Sequence, residues 1–260
     1  MRGLLVRVGI DQTPKYGGWN APVDTGTRRF VFVPIRDSTY NDASYVVNGE
    51  RRYGNEVTAA LERFGLECGD SDHVCLRLPV RLHDEPMHLD PDFLQLTYGD
   101  DPRRGRILKE LREGDFIAFY SSLRSLQDRK LVYALIGLFV LAGSPIMASE
   151  IADHQRLSNA HTRWKNVKAG DIVAFGKPGQ SGLFERCLPI GEFRDRAYRV
   201  RRDVLTEWGD ITVKNGWLQR SANLPEFKSP ASFRKWLEKR DIRLDRAQYQ
   251  VPNEDASAQK

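Results

Sequence analysis

The sequence predicts a single α+β domain, in which a mixed, mostly antiparallel sheet or partly open barrel carries helices at its periphery. Three observations support this class. Apolar strand patterns recur along the chain, two segments have the spacing of amphipathic helices, and no linker rich in proline, glycine or serine divides the 260 residues. With 40% hydrophobic and 29% charged residues, the chain can bury a full core.

The first half of the chain alternates between strand and helix patterns. Residues 4–10 are almost continuously apolar and predict a strand, and residues 30–35 predict a second strand that is closed by a proline. Apolar residues at i, i+3, i+4 and i+7 indicate a helix that begins near Asn55 and ends at Gly65. A loop-rich segment over residues 66–104 follows this helix.

Two Gly-Asp pairs, at residues 114–115 and 170–171, each introduce a strand in the second half of the chain. In such a pair the glycine supplies a permissive backbone dihedral, and the aspartate bonds nearby backbone groups. A short helix over residues 106–111 precedes the first pair. The apolar run at residues 132–141 then predicts a strand beside the first one in the core.

The C-terminal third carries two further helix starts. Asp203 is placed to cap a short helix, and a serine–proline pair at residues 229–230 begins another. Beyond them the chain loses its hydrophobic residues. We therefore predict one domain over residues 1–246 and a disordered tail over residues 247–260.

Composition argues against several classes of protein. The N-terminus lacks the apolar stretch and cleavage site of a signal peptide, and the longest apolar run, residues 131–143, is shorter than the about 20 residues of a membrane helix. Three cysteines without a CxxC pair speak against a disulfide framework and a cysteine zinc site. We expect a soluble, cytoplasmic protein without a membrane partner.

The positive charge is concentrated in one segment. The net charge is +5 with a pI near 9.1, and residues 194–202 hold five arginines against one aspartate. Guanidiniums that alternate along a strand, such as Arg199 and Arg201, suit phosphate groups. Arg194, Tyr198 and Arg199 are therefore candidates for binding nucleic acid. The alternative is a solvated strand face paired with acidic neighbours.

An alternating acidic string provides candidate catalytic groups. In an extended backbone His88, Asp90 and Asp92 would point to one side. An imidazole with two carboxylates can hold a divalent cation or form an acid–base pair. An Asp-Pro-Asp sequence is equally typical of an ordinary turn, so we assign no metal ligands here.

The segment after the first strand has features of a base-binding loop. The tandem glycines, of which Gly18 is the second, allow close approach of backbone to a ligand. Trp19 offers a stacking face, and Asn20 offers a paired donor and acceptor for a base edge. The Lys-Ser/Thr ending of a phosphate loop is absent. The alternative is a tight loop around a core tryptophan.

Polar residues flank the second Gly-Asp strand. His161 is a candidate general base, and Arg163 and Lys177 are candidate anion ligands. A lone histidine is more often structural, and that alternative remains. Cys187 is better explained as a buried strand residue than as a reactive thiolate next to Arg186.

Five stretches carry long, irregular motifs, at residues 5–11, 17–24, 88–93, 97–100 and 183–191. They resemble the third nucleotide-modification-associated domain family, whose members are predicted DNA base-hypermodification proteins. The likeness runs from about residue 4 to about residue 244 and implies a substrate class more than a reaction or cofactor. It also implies functional roles for Asn20, Asp24, His88, Asp90, Asp92, Arg186, Arg194 and Arg199.

A looser likeness concerns the core. A Gly-Asp turn, a strand that ends in an aromatic residue and a glycine-containing apolar strand look like the core of small PUA- and EVE-type barrels, which accept flipped modified bases. This likeness implies that Tyr120 and Arg124 line a base pocket.

Four functions follow as hypotheses. The first is an enzyme that alters a base in nucleic acid, most simply DNA, or in a nucleotide, with an unknown cofactor and with proton transfer by Asp24, His88, Asp90, Asp92 and His161. The others are a non-catalytic reader of modified bases, a metal-dependent phosphodiesterase and a structural protein with a basic face. The nucleic-acid hypotheses expect the arginine strand and the acidic string to converge on one cavity sized for a nucleobase and its phosphate.

Overall fold

The computed structural model describes residues 1–37, 53–69, 76–152, 157–163, 167–220 and 223–245. Its centre is a six-stranded mixed sheet. The strands lie in the order β1 (Gly3–Arg7), β6 (Phe116–Ser125), β7 (Leu131–Val140), β10 (Gly182–Pro189) and β13 (Leu244–Asp245), and β2 (Pro22–Val23) also pairs with β6. Strands β1 and β2 run parallel to β6, and the remaining pairs are antiparallel.

Three smaller antiparallel sheets surround the central one. The first contains β5 (Thr97–Asp100), β9 (Ile172–Phe175) and β8 (Ile146–Met147), with β9 in the middle. The second pairs β3 (Ile35–Arg36) with β4 (Met87–His88), and the third is a hairpin of β11 (Gly191–Arg194) and β12 (Ala197–Val200). The predicted α+β class with a mixed, mostly antiparallel sheet is confirmed, and the described strands form no closed barrel.

The helices are peripheral, as predicted. They are α1 (Tyr53–Cys68), α2 (Gly105–Leu108), α3 (Arg202–Trp208) and α4 (Pro230–Glu238). Among the described residues, no helix combines the length and the apolar character needed to cross a bilayer.

The central sheet separates two hydrophobic cores. Because side chains alternate along a strand, Leu4 and Val6 of β1 enter the first core, whereas Leu5 enters the second. Helix α1 packs in the first core, while Trp208 of α3 and Phe233 of α4 lie in the second. Alternate residues of one strand therefore contribute to different cores.

Several predicted boundaries were wrong at their ends. The first strand ends at Arg7 rather than Ile10. Of the residues predicted for the second strand, Ile35 lies in β3 and Phe30 forms an isolated bridge with Val23, while residues 30–34 are buried. Helix α1 begins at Tyr53 and continues past Gly65 to Cys68 because a glycine only weakens a helix that packs on a core.

The later elements follow the sequence pattern more closely. Strands β6 and β7 are neighbours, as the apolar run predicted. Helix α2 ends at Leu108 rather than at residue 111, and α3 begins one residue before Asp203. Helix α4 begins at Pro230 as predicted, but the hydroxyl of Ser229 bonds that of Ser232 (2.7 Å) instead of capping the helix. The predicted tail lies outside the described residues.

Candidate functional site

Three side chains from two segments converge beside the first core. They are His88 at the end of β4, Asp90 two residues later, and His161 from the segment that lies between β8 and β9 in the chain. One nitrogen or oxygen atom of each lies within 4.8 Å of the corresponding atoms of the other two. The side chains are 21%, 9% and 14% exposed, so they are sheltered but reachable. We call these three residues the His–Asp centre.

The carboxylate of Asp90 is held from one side. Its Oδ1 accepts hydrogen bonds from the backbone N–H of Gly99 (2.7 Å) and from Nδ2 of Asn159 (3.1 Å). Its Oδ2 faces Nε2 of His161 at 3.8 Å. Burial raises the pKa of Asp90 to about 7, because it outweighs the opposing effects of His161 and the Gly99 N–H.

The ring of His161 is fixed by hydrogen bonding and by packing. Its Nδ1 lies 2.7 Å from Oδ2 of Asp171, the aspartate of the second Gly-Asp pair. The ring also packs against Gly99, where an added Cβ atom would lie only 2.5 Å from the Cδ2 atom of His161. Burial lowers the pKa of His161, but the Asp171 and Asp90 carboxylates raise it by more, so the net pKa lies above its ordinary value.

The ring of His88 completes the centre. It packs edge-to-face on His161, with centroids 5.5 Å apart, and its Nδ1 lies 3.9 Å from Oδ2 of Asp37. The fully buried Arg163 donates to the same Asp37 oxygen at 2.5 Å. Burial lowers the pKa of His88, and this effect is larger than the raising effect of Asp37.

One more charged pair lies next to the centre. Asp100 accepts a hydrogen bond from the hydroxyl of Tyr98 (2.8 Å) and pairs with Nε of Arg104 (3.4 Å). Burial raises the pKa of Asp100 despite the nearby guanidinium. The arrangement leaves two imidazoles and one carboxylate facing one another, which can hydrogen-bond a substrate or ligate a divalent cation.

The whole fold that builds this centre corresponds to one family model. The model of nucleotide modification associated domain 3 matches residues 2–242. The chain belongs to this family. Neither the curated proteins nor the solved structures contain a match. Membership links this domain to nucleotide modification, as the motif resemblance predicted, and it specifies no reaction.

Two residues predicted to be catalytic, Asp92 and Asp24, are not part of the His–Asp centre. Asp92 points into its own turn, where Oδ1 accepts the N–H groups of Leu94 (2.9 Å) and Gln95 (3.1 Å), and its backbone pairs with Thr97. It therefore does not join His88 and Asp90 on one side. Asp24 similarly closes a turn by accepting from the Gly26 N–H, Thr27 and Gln127.

Two arginines of the predicted arginine strand, residues 194–202, bond to the hairpin itself and to the adjacent residues 214–215. Arg194 donates to Glu192 (2.7 Å) and to the side chain of Asn215 (2.8 Å), and Arg199 donates to backbone carbonyls of residues 214–215. Both side chains are only 12% exposed. Tyr198 stacks on Tyr133 of β7 at 4.3 Å.

The expected convergence of the arginine strand with the acidic string is therefore wrong. The hairpin packs on the second core, through Val200 and Tyr198, whereas Leu89 and Tyr98 place the His–Asp centre beside the first. The central sheet lies between them. The sequence did not predict this separation, because it does not specify on which side of the central sheet each segment packs.

The predicted base-binding residues are held by partners outside the centre. The carbonyl of Gly18 accepts a hydrogen bond from Arg81 (3.0 Å), and Trp19 packs against the first core. Asn20 donates to the backbone and hydroxyl oxygens of Ser122 (2.8 and 3.0 Å). These contacts describe a fixed loop, which is the alternative that the sequence left open.

Two residues expected to line a base pocket donate hydrogen bonds to backbone carbonyls instead. Tyr120 is buried and donates to the carbonyl of Gln219 (3.3 Å), and Arg124 donates to the carbonyl of Arg129 (2.6 Å).

Lys177 is an exposed residue in the loop after β9. Arg186 is also exposed and lines a groove of about 400 Å³ with Arg28, Glu185, Leu188, Lys239, Arg240, Asp241, Ile242 and Arg243.

Sequence reasoning missed the residues that support the centre. Gly99, Asn159 and Asp171 each fix one of its side chains, and none was assigned to it. Asp171 was visible as part of a Gly-Asp pair, and Gly99 lies in a motif that carried the family resemblance. Their roles depend on pairing between β5 and β9, which the sequence pattern does not specify.

Proposed function

We propose that this protein chemically modifies a nucleobase, in nucleic acid or in a nucleotide, at the His–Asp centre. The observation that carries the proposal is that the outer atoms of Asp90 and His161 are engaged by Gly99, Asn159 and Asp171, while their inner atoms face one another. Groups held in this way are preorganised for a substrate. Membership of a nucleotide-modification family supports the choice of substrate.

The spacing of the inner atoms suits a bound polar atom. Asp90 Oδ2 and His161 Nε2 are 3.8 Å apart, which is too far for a direct hydrogen bond. A substrate amine or hydroxyl between them would lie within about 2.8–3.0 Å of both. An exocyclic amine or a ring N–H of a base offers such a group, and His88 closes the third side.

The exposed basic groove supports a polyanionic substrate. Arg28, Arg186, Lys239 and Arg243 are exposed there and form no ion pair with any residue that the structure describes. Glu185 and Asp241 are the acidic residues of the same lining. Exposed, unpaired cations attract a phosphate backbone and release counterions when it binds. The groove lies beside the second core, through Leu188 and Ile242, so a substrate that contacts both the groove and the His–Asp centre has to be a polymer. We therefore favour nucleic acid over a free nucleotide.

A reader of nucleic acid is the second candidate function. Phe193 and Trp217 are 67% and 42% exposed on the hairpin side of the molecule, and Arg199 lies over the Trp217 ring at 5.4 Å. Exposed aromatic rings beside arginine are typical of surfaces on which unpaired bases stack. A reader would use this surface and would not need the His–Asp centre.

Nucleoside mass spectrometry tests the proposal. The protein is incubated with DNA and a nucleotide pool, or expressed in its native host, and the digested nucleosides are compared with those of a deletion strain. We expect a new nucleoside mass that disappears with Asp90→Asn and with His161→Ala. The control is Asp128→Asn, which changes an aspartate in an exposed turn.

The two candidate functions give different results. Tight DNA binding without a new nucleoside, lost on Trp217→Ala and retained in Asp90→Asn, would establish the reader and overturn the enzyme. A new nucleoside that persists in both centre variants would move the reaction to another part of the molecule.

A further inference from the structure

The His–Asp centre has the composition of a metal site. Its donors are two imidazole nitrogens and one carboxylate oxygen, all within 4.8 Å of one another. Divalent first-row transition metals bind this combination of ligands, and three protein ligands leave positions open for water or substrate. The sequence pattern suggested Asp92 as the third ligand beside His88 and Asp90, whereas in the structure His161 occupies this position.

The residues around the donors resemble the outer shell of a metal site. A metal-bound histidine usually donates its second ring nitrogen to a carboxylate, and His161 places Nδ1 2.7 Å from Asp171. This contact orients Nε2 toward Asp90. The Asp90 carboxylate is itself anchored through Oδ1 by Gly99 and Asn159, which directs Oδ2 into the centre.

The local charge also favours a cation. Four carboxylates lie in or against the centre, those of Asp37, Asp90, Asp100 and Asp171. In the part of the chain that the structure describes, two guanidiniums pair with this group, Arg104 with Asp100 and Arg163 with Asp37. The carboxylates of Asp90 and Asp171 both face His161, so a cation at the centre would lie among acidic groups.

We propose that His88, Asp90 and His161 bind one divalent transition-metal ion. Two ligands of one tetrahedral zinc-like ion lie about 3.4 Å apart, so donor atoms as far apart as 4.8 Å need to approach one another by more than about one ångström. Asp90 Oδ2 and His161 Nε2 already lie 3.8 Å apart, so most of the shift falls on His88, the most exposed of the three side chains. A role for this ion in the reaction rests on the proposed function. Its binding can be measured without any nucleotide.

Metal titration of the full chain tests the site. After dialysis against a chelator, the protein is titrated with Co²⁺, followed by visible absorption, and with Zn²⁺, followed by calorimetry. We expect one equivalent of metal per chain and a rise in melting temperature on addition of Zn²⁺. His161→Gln and Asp90→Asn should lower the affinity by at least about 100-fold, and Asp171→Asn by about 10- to 100-fold.

A matched histidine provides the control. His83 lies outside the centre, with Nε2 3.3 Å from the carbonyl of Leu78, and His83→Gln should retain full metal binding. Circular dichroism of each variant verifies the fold. Absence of stoichiometric binding in the folded wild type, or full binding in folded His161→Gln, would overturn the metal site.

The failure of this inference is separable from failure of the proposed function. A new nucleoside made at the wild-type rate by folded protein that shows no stoichiometric metal binding would overturn the metal and leave base modification at this centre in place. Stoichiometric metal binding with no nucleoside product under any condition would support the metal site and contradict base modification.

Discussion

Asp11 and Asp90 are both sheltered carboxylates, yet their surroundings differ in charge. Asp11 lies 3.0 Å from Arg220 and 3.2 Å from Arg7, and it also accepts the Thr13 N–H. Burial alone would raise its pKa, but the two guanidiniums and this hydrogen bond bring it below the ordinary value. Asp90 faces histidines instead, and burial raises its pKa to about 7.

The difference distinguishes a structural charge from a functional one. A buried carboxylate whose charge is balanced by arginines ties segments together, as Asp11 joins β1 to residue 220. A sheltered carboxylate without such a partner carries a cost that folding alone does not explain. The same contrast separates Arg199, which is engaged in its hairpin, from Arg186, which is exposed in the groove.

The largest expected effect is the loss of stability in Asp11→Asn. This change leaves two partly buried guanidiniums without their carboxylate, and it should lower the free energy of unfolding by about 3–5 kcal/mol. Urea denaturation measures the effect. Asp128→Asn, in an exposed turn, should stay within about 0.5 kcal/mol of wild type. Equal stability of the two variants would remove the basis of the comparison.

The contribution of Asp11 should depend on pH in a defined direction. Because its folded pKa is below the unfolded value of about 3.9, the stabilisation is complete above that pH and is lost as pH falls through the folded pKa. The stability difference between wild type and Asp11→Asn should therefore shrink in acid. Denaturation curves at neutral pH and below about pH 3 measure it, and a constant difference would contradict the charge argument.

Asp90→Asn should show the opposite pattern to Asp11→Asn. The amide oxygen can still accept the bonds from Gly99 and Asn159, and no guanidinium loses its partner, so the free energy of unfolding should change by less than about 1 kcal/mol. The yield of modified nucleoside should fall by at least about 100-fold. Denaturation and nucleoside mass spectrometry on the same preparation test both parts, and a loss of stability as large as that of Asp11→Asn would make Asp90 structural.

Gly99→Ala tests whether the geometry of the centre matters independently of its charge. The added methyl group would overlap the His161 ring, costing about 1–3 kcal/mol of stability and displacing the imidazole. We expect at least a 10-fold drop in product. Gly143→Ala is the matched control, since a Cβ there meets nothing within 4 Å. Wild-type product yield from a folded Gly99→Ala protein would show that the position of His161 is unimportant.

The smallest effect concerns the two classes of arginine. Arg186→Ala should reduce the slope of log affinity against log salt for DNA by about one unit, because it removes one exposed phosphate ligand. Arg199→Ala should leave the slope unchanged and lower stability by about 1 kcal/mol through the lost hairpin contacts. If Arg199→Ala reduced the salt slope and Arg186→Ala left it unchanged, the arginine strand would be the nucleic-acid-binding surface.

Local patterns predicted the fold better than they predicted the site. The apolar runs of β6 and β7 predicted a buried pair of strands, and the Ser-Pro pair predicted the start of α4. Asp92 shows the limit of the same reasoning. The alternation of residues 88, 90 and 92 predicted one shared face, but β4 ends at His88 and the following turn directs Asp92 inward.

The two Gly-Asp pairs show most clearly what sequence determined and what it did not. By itself the sequence determined that each pair turns the chain into an apolar strand, because glycine and aspartate act on the backbone within a few residues. Asp115 accepts the backbone N–H groups of Arg112 and Arg2, whereas Asp171 orients the side chain of His161 in the centre. Only tertiary structure decided this difference, since it depends on which distant segment packs against each strand.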